Sequence, residues 1–176
     1  LAIPQSAWKR CGRTRTGSEN FAAGTSALRS NTTGVQNVAN GMESLLSNTT
    51  GNGNTANGYR ALYANTTAIG NVAVGYRTLF TTTTGGSNTA IGNAALFLNT
   101  SGANNTASGK DALYSNTVGS YGVAVGWQAL YSNTSGYQNT AIGEESLYGN
   151  TTGITNTAIG AGAMYSNNTG GNNVAS

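Results

Sequence analysis

The sequence predicts an all-β protein, a parallel β-solenoid or β-roll of nine 17-residue coils. The main observation is a 17-residue unit that recurs without insertion or deletion over residues 20–172, since a fixed short period indicates repeats that stack on their neighbours. Charged residues make up only 7% of the chain, and Asn, Thr, Ser and Gly take their place. Two positions of the unit are almost always Gly, which predicts two corners in every coil because Gly tolerates positive φ.

The chain divides into three parts at the level of sequence. Residues 1–19 do not repeat and form a basic leader or a cap, residues 20–172 are the nine repeats, and residues 173–176 begin a tenth. Cys11 is the only cysteine, so an intrachain disulfide framework is not expected. Because the chain stops within a repeat, we expect it to be a piece of a longer or processed protein.

We number the positions of each unit 1 to 17 from Asn20, and we call the residues at one position in successive coils a column. Column 3 is Ala in all ten copies, which predicts a packing position with no room for a further methyl group. Columns 2 and 4 are largely β-branched, which predicts a short strand whose other face is apolar. We expect that face to contact a second chain. The candidate chain–chain contacts are Val72, Val125, Ile142 and Ile159.

Column 5 is Gly in all nine complete coils and predicts a corner, as at Gly58, Gly92 and Gly143. Columns 8 to 12, close to Ala-Leu-Tyr-Ser-Asn, form the second side of the coil. We predict a strand or an irregular extended segment there, with one helical turn as the alternative, since periodicity does not decide so short a run. The Leu of column 9 would point inward to meet the Ala column. The residues expected to pack the coils are Ala56, Ala90, Ala141, Leu62, Leu96 and Leu147.

A rod built from these coils would be thin. Nine coils at the strand spacing of about 4.8 Å give a length of roughly 40 Å, and each coil places one Leu and one or two Ala inside. Such a core is marginal, because ordering the chain costs about 1 to 2 kcal/mol per residue. Packing three chains around an axis through the apolar strand face would bury more surface. We therefore predict a homotrimer, with end-to-end stacking into a longer homopolymer as a variant.

The pattern Asn-Thr-Ala-Ile-Gly-x-x-Ala-Leu-Tyr-Ser-Asn-Thr-Thr-Gly resembles repeats of bacterial and phage tail-fibre-like proteins, which often carry an endosialidase-type chaperone domain elsewhere. The segments Ala141-Ile142-Gly143 and Ala158-Ile159-Gly160 are also similar to head repeats of trimeric autotransporter adhesins. The resemblance covers residues 20–176 and implies a left-handed parallel β-roll of three chains. The coil of those adhesins is usually shorter, and the excess in this chain falls on the second side.

The residue types present do not indicate catalysis. The chain has no His, and Cys11 lies outside the repeats without a base to activate it. Glu144 and Glu145 are the only adjacent carboxylates, and neighbours on a strand point to opposite faces. Acidic residues do not recur at a spacing that suits calcium, and Gly85-Gly86 lacks the Lys of a phosphate loop. We therefore predict that the protein is not an enzyme and uses no metal or cofactor.

Charge and hydropathy argue against two further kinds of partner. The net charge of +3 comes from the leader, because the four basic residues of the repeats are balanced by four acidic ones. A neutral array offers no positive stripe that could follow phosphates, so nucleic acid is not expected. No run of about 18 apolar residues occurs, so we expect no membrane insertion in this segment.

Three repeated features are candidates for binding. Column 12 builds Asn-x-Ser/Thr sequons, which would carry glycans on an exposed edge, the alternative being that each Asn orders its own turn. Columns 13 and 14 form rows of Thr that suit ice binding, the alternative being a simple preference for extended structure. Column 10 is an aromatic row that would bind sugars or, alternatively, pack between coils or chains. The sequon positions are Asn31, Asn48, Asn65, Asn99, Asn133, Asn150 and Asn167.

Together these patterns predict a structural and adhesive segment of an extracellular trimeric fibre, at a cell surface or on a virion. The segment would act as a stiff spacer and as a multivalent surface, because one motif repeated many times binds by avidity. Its expected partner is a host or environmental surface, with carbohydrate as one candidate. The alternative from a different class is an ice-binding protein that uses the Thr and Asn rows.

Overall fold

The computed structural model describes residues 17–176, and within this range the chain is all β, with no helix. Ten short parallel strands form one sheet, in which the order of the strands in space is their order in sequence. The predicted parallel β-solenoid of about nine 17-residue turns is therefore confirmed. The strands are β1 (Phe21–Ala23), β2 (Val38–Asn40), β3 (Thr55–Asn57), β4 (Val72–Val74), β5 (Thr89–Ile91), β6 (Thr106–Ser108), β7 (Val123–Val125), β8 (Thr140–Ile142), β9 (Thr157–Ile159) and β10 (Val174–Ala175).

Each strand pairs with the strand one coil further along, in a register that places every column on itself. Thr55 lies beside Val72, and Ala56 lies beside Ala73. Side chains alternate between the two faces of a strand, so the inner face of the sheet is a continuous row of Ala. The outer face consists of columns 2 and 4.

The core between the sheet and the turns holds one large and two small residues in each coil, beside the buried asparagines of columns 1 and 12. Leu of column 9 is fully buried in coils 1 to 8, and it packs against Ala of column 3 and the Ala, Ser or Thr of column 8. Burial of a Leu side chain contributes about 1.5–3 kcal/mol, so this single row supplies much of the apolar stabilisation. The residues predicted to pack the coils have no exposed surface: Ala56, Ala90, Ala141, Leu62, Leu96 and Leu147.

The second side of the coil, columns 6 to 11, is a run of turns, which corrects the strand or extended segment suggested by the sequence. Columns 7 and 9 have left-handed backbone, as at Arg60 with φ 55° and Leu62 with φ 51°. The N–H of Arg60 donates to Met42 O in the preceding coil, whereas the N–H of Leu62 donates to Thr78 O in the following coil. Left-handed backbone costs about 1–2 kcal/mol for a residue with a Cβ, and these inter-coil hydrogen bonds, together with burial of Leu, offset that cost.

The Gly of column 5 makes the corner between the strand and these turns. Gly58, Gly92 and Gly143 have φ values of 139°, 131° and 127°. A Cβ at Gly92 would lie 2.5 Å from the carbonyl oxygen of Gly109 and 2.7 Å from its carbon. Successive coils therefore touch backbone to backbone at this corner, and any side chain there would separate them.

Residues 1–16, which hold most of the predicted leader, lie outside the described part of the chain. Residues 17–19 continue the stack of coils, because the N–H of Gly17 donates to Thr32 O. At the other end, β10 pairs with β9 and starts a tenth coil.

Candidate functional surfaces

The asparagines of column 12 are buried inside the coil and do not form the exposed edge that the sequence suggested. Each donates from Nδ2 to the carbonyl oxygen three residues later, as Asn48 does to Gly51 at 3.1 Å. A glycan on Nδ2 would take the place of such bonds, whereas the turn-ordering role needs them. Asn167, in the last complete coil, is half-buried. The other six sequon residues expose at most 2% of their surface: Asn31, Asn48, Asn65, Asn99, Asn133 and Asn150.

The same asparagines also form a ladder of amides along the rod. Asn48 Nδ2 donates to Asn31 Oδ1 at 2.8 Å, and Asn65 Nδ2 donates to Asn48 Oδ1 at 2.7 Å. Every amide in an unbroken part of the ladder is thus both donor and acceptor. Buried polar groups that are fully satisfied in this way rigidify a core, because any displacement leaves one of them unpaired.

Column 1 forms a second buried amide ladder on the other side of the same turn. Asn54 donates from its backbone N–H to Asn37 Oδ1 at 3.0 Å, and from Nδ2 to Ala68 O at 2.8 Å. Gly122 interrupts this ladder, because it has no side chain to accept from the coil that follows. Its own N–H still donates to Asn105 Oδ1 at 2.8 Å. The two ladders converge on the carbonyl groups of column 15 and hold that corner from both sides.

The column 12 ladder has one fault within residues 17–176, at Thr82. The Thr hydroxyl accepts weakly from Asn99 Nδ2 at 3.4 Å. Thr has no amide to donate to the preceding coil, so the buried Oδ1 of Asn65 has no hydrogen-bond partner. An unsatisfied buried acceptor costs about 1–3 kcal/mol, which makes this position a local weakness of the solenoid.

Thr82→Asn is expected to stabilise the protein by about 1–2 kcal/mol, because the new amide would donate to Asn65 Oδ1 and accept from Asn99 Nδ2. The midpoint of urea unfolding, followed by circular dichroism, measures this gain. Thr84→Asn is the matched control, since Thr84 is exposed on column 14. Equal midpoints for the two variants would show that the ladder does not need the missing amide.

The two Thr rows differ in how much of each hydroxyl is free. Hydroxyls of column 13 bond to the next coil, as Thr49 Oγ1 does to Thr66 O at 3.0 Å. Column 14 is exposed along the rod, and it holds Ser or Val where Thr is replaced. The exposed row is therefore one residue wide, with the column 13 side chains half-buried beside it. Its Thr members are Thr33, Thr50, Thr67, Thr84, Thr152 and Thr169.

The aromatic residues of column 10 stack on one another over seven coils. Centroid distances between successive rings run from 4.9 to 5.2 Å, and neighbouring rings are within 13° of parallel. Burial raises the pKa of the Tyr131 phenol, and the adjoining Tyr114 and Tyr148 add to the effect. The rings inside the row are covered on both faces by their neighbours, so within this column the exposed end ring of Tyr165 is the one best placed to stack on a sugar. The rings are Tyr63, Phe80, Phe97, Tyr114, Tyr131, Tyr148 and Tyr165.

Two arginines of column 7 lie against this aromatic row. The guanidinium carbon of Arg60 is 5.3 Å from the centre of the Tyr63 ring, and that of Arg77 is 4.6 Å from the centre of the Phe80 ring. Arg60 also forms an ion pair with Glu43 at 2.6 Å. The hydrogen bond that Arg60 donates to the Glu43 carboxylate raises the pKa of Arg60. Arg77 has no ion pair among the described residues, and its Nε has no partner.

The outer face of the sheet carries no charge at any of its positions in the ten strands. Val125, Ile142 and Ile159 expose 39%, 40% and 49% of their surface, and Val72 is half-buried. Val125, Ile142 and Ile159 follow one another in column 4 of β7 to β9 and form an apolar stripe there. Thr106 and Ser108 of β6 separate this stripe from Val72 on β4. Exposed apolar stripes are candidates for interaction surfaces.

Within residues 17–176 no group of three or more His, Cys, Asp or Glu could hold a metal ion. In the same range no helix is long and apolar enough to cross a membrane. Glu144 and Glu145 lie in the turns of coil 8, where Glu144 is exposed and Glu145 half-buried.

Sequence reasoning missed the column 1 ladder, although a signal was present. A column that accepts only Ala indicates a packing position, and a column that accepts almost only Asn supports the same inference. Column 6, which is exposed in most coils, and the half-buried column 7 gave no such signal, because their residues vary from coil to coil.

Comparison of the chain with protein-family models, with curated proteins and with solved structures gives no match.

Proposed function

We propose that this chain is a structural and adhesive segment of an extracellular trimeric fibre, acting as a stiff spacer that presents one surface many times. The observation that carries the proposal is the uncharged outer face of the ten-stranded sheet, with its exposed apolar stripe on β7 to β9. Three such faces packed around an axis would bury the stripe formed by Val125, Ile142 and Ile159. The longitudinal hydrogen bonds of every coil would then make the assembly rigid along its length.

The assembly is tested by light scattering coupled to gel filtration on the full chain. Particles that contain three copies of the 17.8 kDa chain, or a multiple of three, are expected. Ile142→Lys should abolish the three-chain particle, because it places a charge in the middle of the apolar stripe. Thr152→Lys, on the exposed column 14, is the matched control and should keep the trimer mass. A monomer for the unmodified chain at working concentration would remove the trimer from the proposal.

The adhesive role is tested on an array of immobilised glycans. A trimer that engages several sites at once should bind at least ~100-fold more tightly than the Ile142→Lys variant, which lacks the three-chain assembly, because avidity multiplies weak contacts. The Thr152→Lys control should bind like the unmodified chain. A chain that forms trimers but binds no glycan would keep the spacer role and exclude adhesion to carbohydrate.

Ice binding is the second candidate, and the exposed Thr row of column 14 is the observation in its favour. Hydroxyl and methyl groups repeat along this row at the strand spacing of about 4.8 Å. An ice-recrystallisation assay at micromolar protein separates the two functions. Ordinary crystal growth would exclude the ice-binding role, whereas suppressed growth that is lost in Thr50→Lys would favour it.

A further inference from the structure

A ridge formed by columns 6 and 7 runs along the rod on the far side of the Gly corner from the strand. Its column 6 side chains include several that are large and exposed: Met42 at 46%, Tyr76 at 49% and Trp127 at 42%. Exposed Met, Tyr, Trp and Arg are the residue types that recur in protein interfaces. The ridge also carries every charge of coils 2 to 9: Glu43, Arg60, Arg77, Lys110, Asp111, Glu144 and Glu145.

The charges of the ridge are ordered along the rod. Arg77 in coil 4 has no ion pair among the described residues, and neither do Glu144 and Glu145 in coil 8. Lys110 and Asp111 form a neutral, loosely bound pair at 3.8 Å in coil 6, midway between them. Residues 77, 111 and 145 follow one another at intervals of two coils. The positive residue 77 and the negative residue 145 are therefore about 19 Å apart along the rod, with the neutral pair of coil 6 midway between them.

The sizes of the column 6 and 7 side chains also differ between the two sides of coil 6. Coil 7 presents Trp127, whereas coil 5, at the same distance on the other side of coil 6, presents Asn93 and Ala94. Coil 3 presents Tyr59, whereas coil 9 presents Ala161 in the same column. Turning the ridge end over end about coil 6 therefore places Trp127 and Tyr59 opposite small side chains, and Tyr76 opposite Glu144.

We propose that the ridge is a contact between two copies of this chain, packed antiparallel about a two-fold axis at coil 6. Arg77 then faces the partner's Glu145, and Trp127 faces the partner's Asn93 and Ala94. A parallel arrangement in register would instead oppose Arg77 to itself and Trp127 to itself. An isologous antiparallel contact uses one patch twice, which is the commonest symmetry of protein pairs. The ridge and the strand face are different surfaces, so the inference does not depend on the proposed trimer.

Cross-linking of the full chain tests the register. In a Cys11→Ser background, Lys110→Cys places a thiol beside the two-fold axis, and a bis-maleimide with a span of about 10 Å should join two copies through it. Glu144→Cys alone should give little covalent dimer, because its counterpart would lie about 19 Å away along the rod. A mixture of Arg77→Cys chains and tagged Glu145→Cys chains should give the mixed dimer.

The Ile142→Lys substitution, added to each variant, separates this contact from the strand face. Cross-linking of Lys110→Cys in that background is expected to persist, even if the trimer proposal fails. Efficient self-linking of Glu144→Cys would indicate a parallel contact and overturn the proposal. Absence of any covalent dimer from Lys110→Cys would overturn it equally.

Reversal of charge supplies the second test. Glu145→Lys should weaken the pairing about fivefold to tenfold at low ionic strength, since it opposes two like charges at each of two symmetric sites. Arg77→Glu combined with Glu145→Lys should restore the pairing, because the ion pair is formed again with its signs exchanged. Glu19→Lys, outside the ridge, is the control and should have no effect. If pairing were not restored in the double variant, Arg77 would not lie opposite the partner's Glu145.

Discussion

Gly92→Ala is expected to destabilise the solenoid by more than about 3 kcal/mol. The residue has φ 131°, a conformation that residues with a Cβ rarely adopt. The added methyl would also lie 2.5 Å from the carbonyl oxygen of Gly109. That atom belongs to the backbone of the next coil and is held by the stack, so the coils would have to separate at this corner. Urea unfolding at one fixed protein concentration measures the loss.

Gly53→Ala is the control for this result, because it makes the same chemical change where there is space. Gly53 has φ 64°, and a Cβ there would meet no atom within 4 Å. Its column accepts Gln36 with φ 59° and Gln138 with φ 56° in other coils. A loss of about 1 kcal/mol or less is expected. If both variants lost the same stability, backbone conformation alone would explain the Gly column and the close stacking would have no role.

The period, the Ala row and the Gly corners could be predicted from the sequence, because every coil requires the same residue at the same position. An Ala column such as that of Ala90 tolerates no larger residue, and repetition makes this visible without any other sequence. The parallel ladder follows from the period alone, because equal coils can only stack with each column on itself. These features determine the architecture of the rod.

The turns of columns 6 to 11 could not be predicted in the same way. Leu62 has φ 51°, although a Leu in isolation disfavours left-handed backbone. The conformation is selected by hydrogen bonds to coils on both sides, which exist only once the stack has formed. Local propensity therefore points away from the observed structure, and only the assembled rod favours it.

Burial of Asn48 could not be inferred from its motif either. The run Asn-Thr-Thr-Gly is typical of an exposed turn, and a sequon in it suggests a glycan site. Inside the coil the same amide bonds to Asn31 and to Gly51, and it accepts from Asn65. A chemical motif specifies which bonds an amide can make, whereas the position of neighbouring coils decides which of them it makes.

Asn116→Ala is the second substitution with a large expected effect, a loss of about 3–4 kcal/mol. Asn116 has no exposed surface, and its Nδ2 donates to Asn99 Oδ1 at 2.8 Å and to Gly119 O at 2.9 Å. Its Oδ1 accepts from Asn133 Nδ2 at 2.8 Å. Removal of the amide would lose these three bonds and leave the buried Oδ1 of Asn99 without a donor. Urea unfolding, compared with the unmodified chain, measures the effect.

Asn116→Thr distinguishes the ladder from simple loss of volume, because the chain already contains this arrangement at Thr82. A Thr hydroxyl can accept from the following coil but leaves the preceding Asn without a donor, so an intermediate loss of about 1–2 kcal/mol is expected. Asn93→Ala, on the exposed side of the turns, should change stability by no more than about 0.5 kcal/mol. If Asn116→Thr were as damaging as Asn116→Ala, the fault at Thr82 would have to be compensated by other contacts. If neither variant were destabilised, cohesion of the rod would come from the Leu and Ala rows alone, and the amide ladder would only select the shape of the turn.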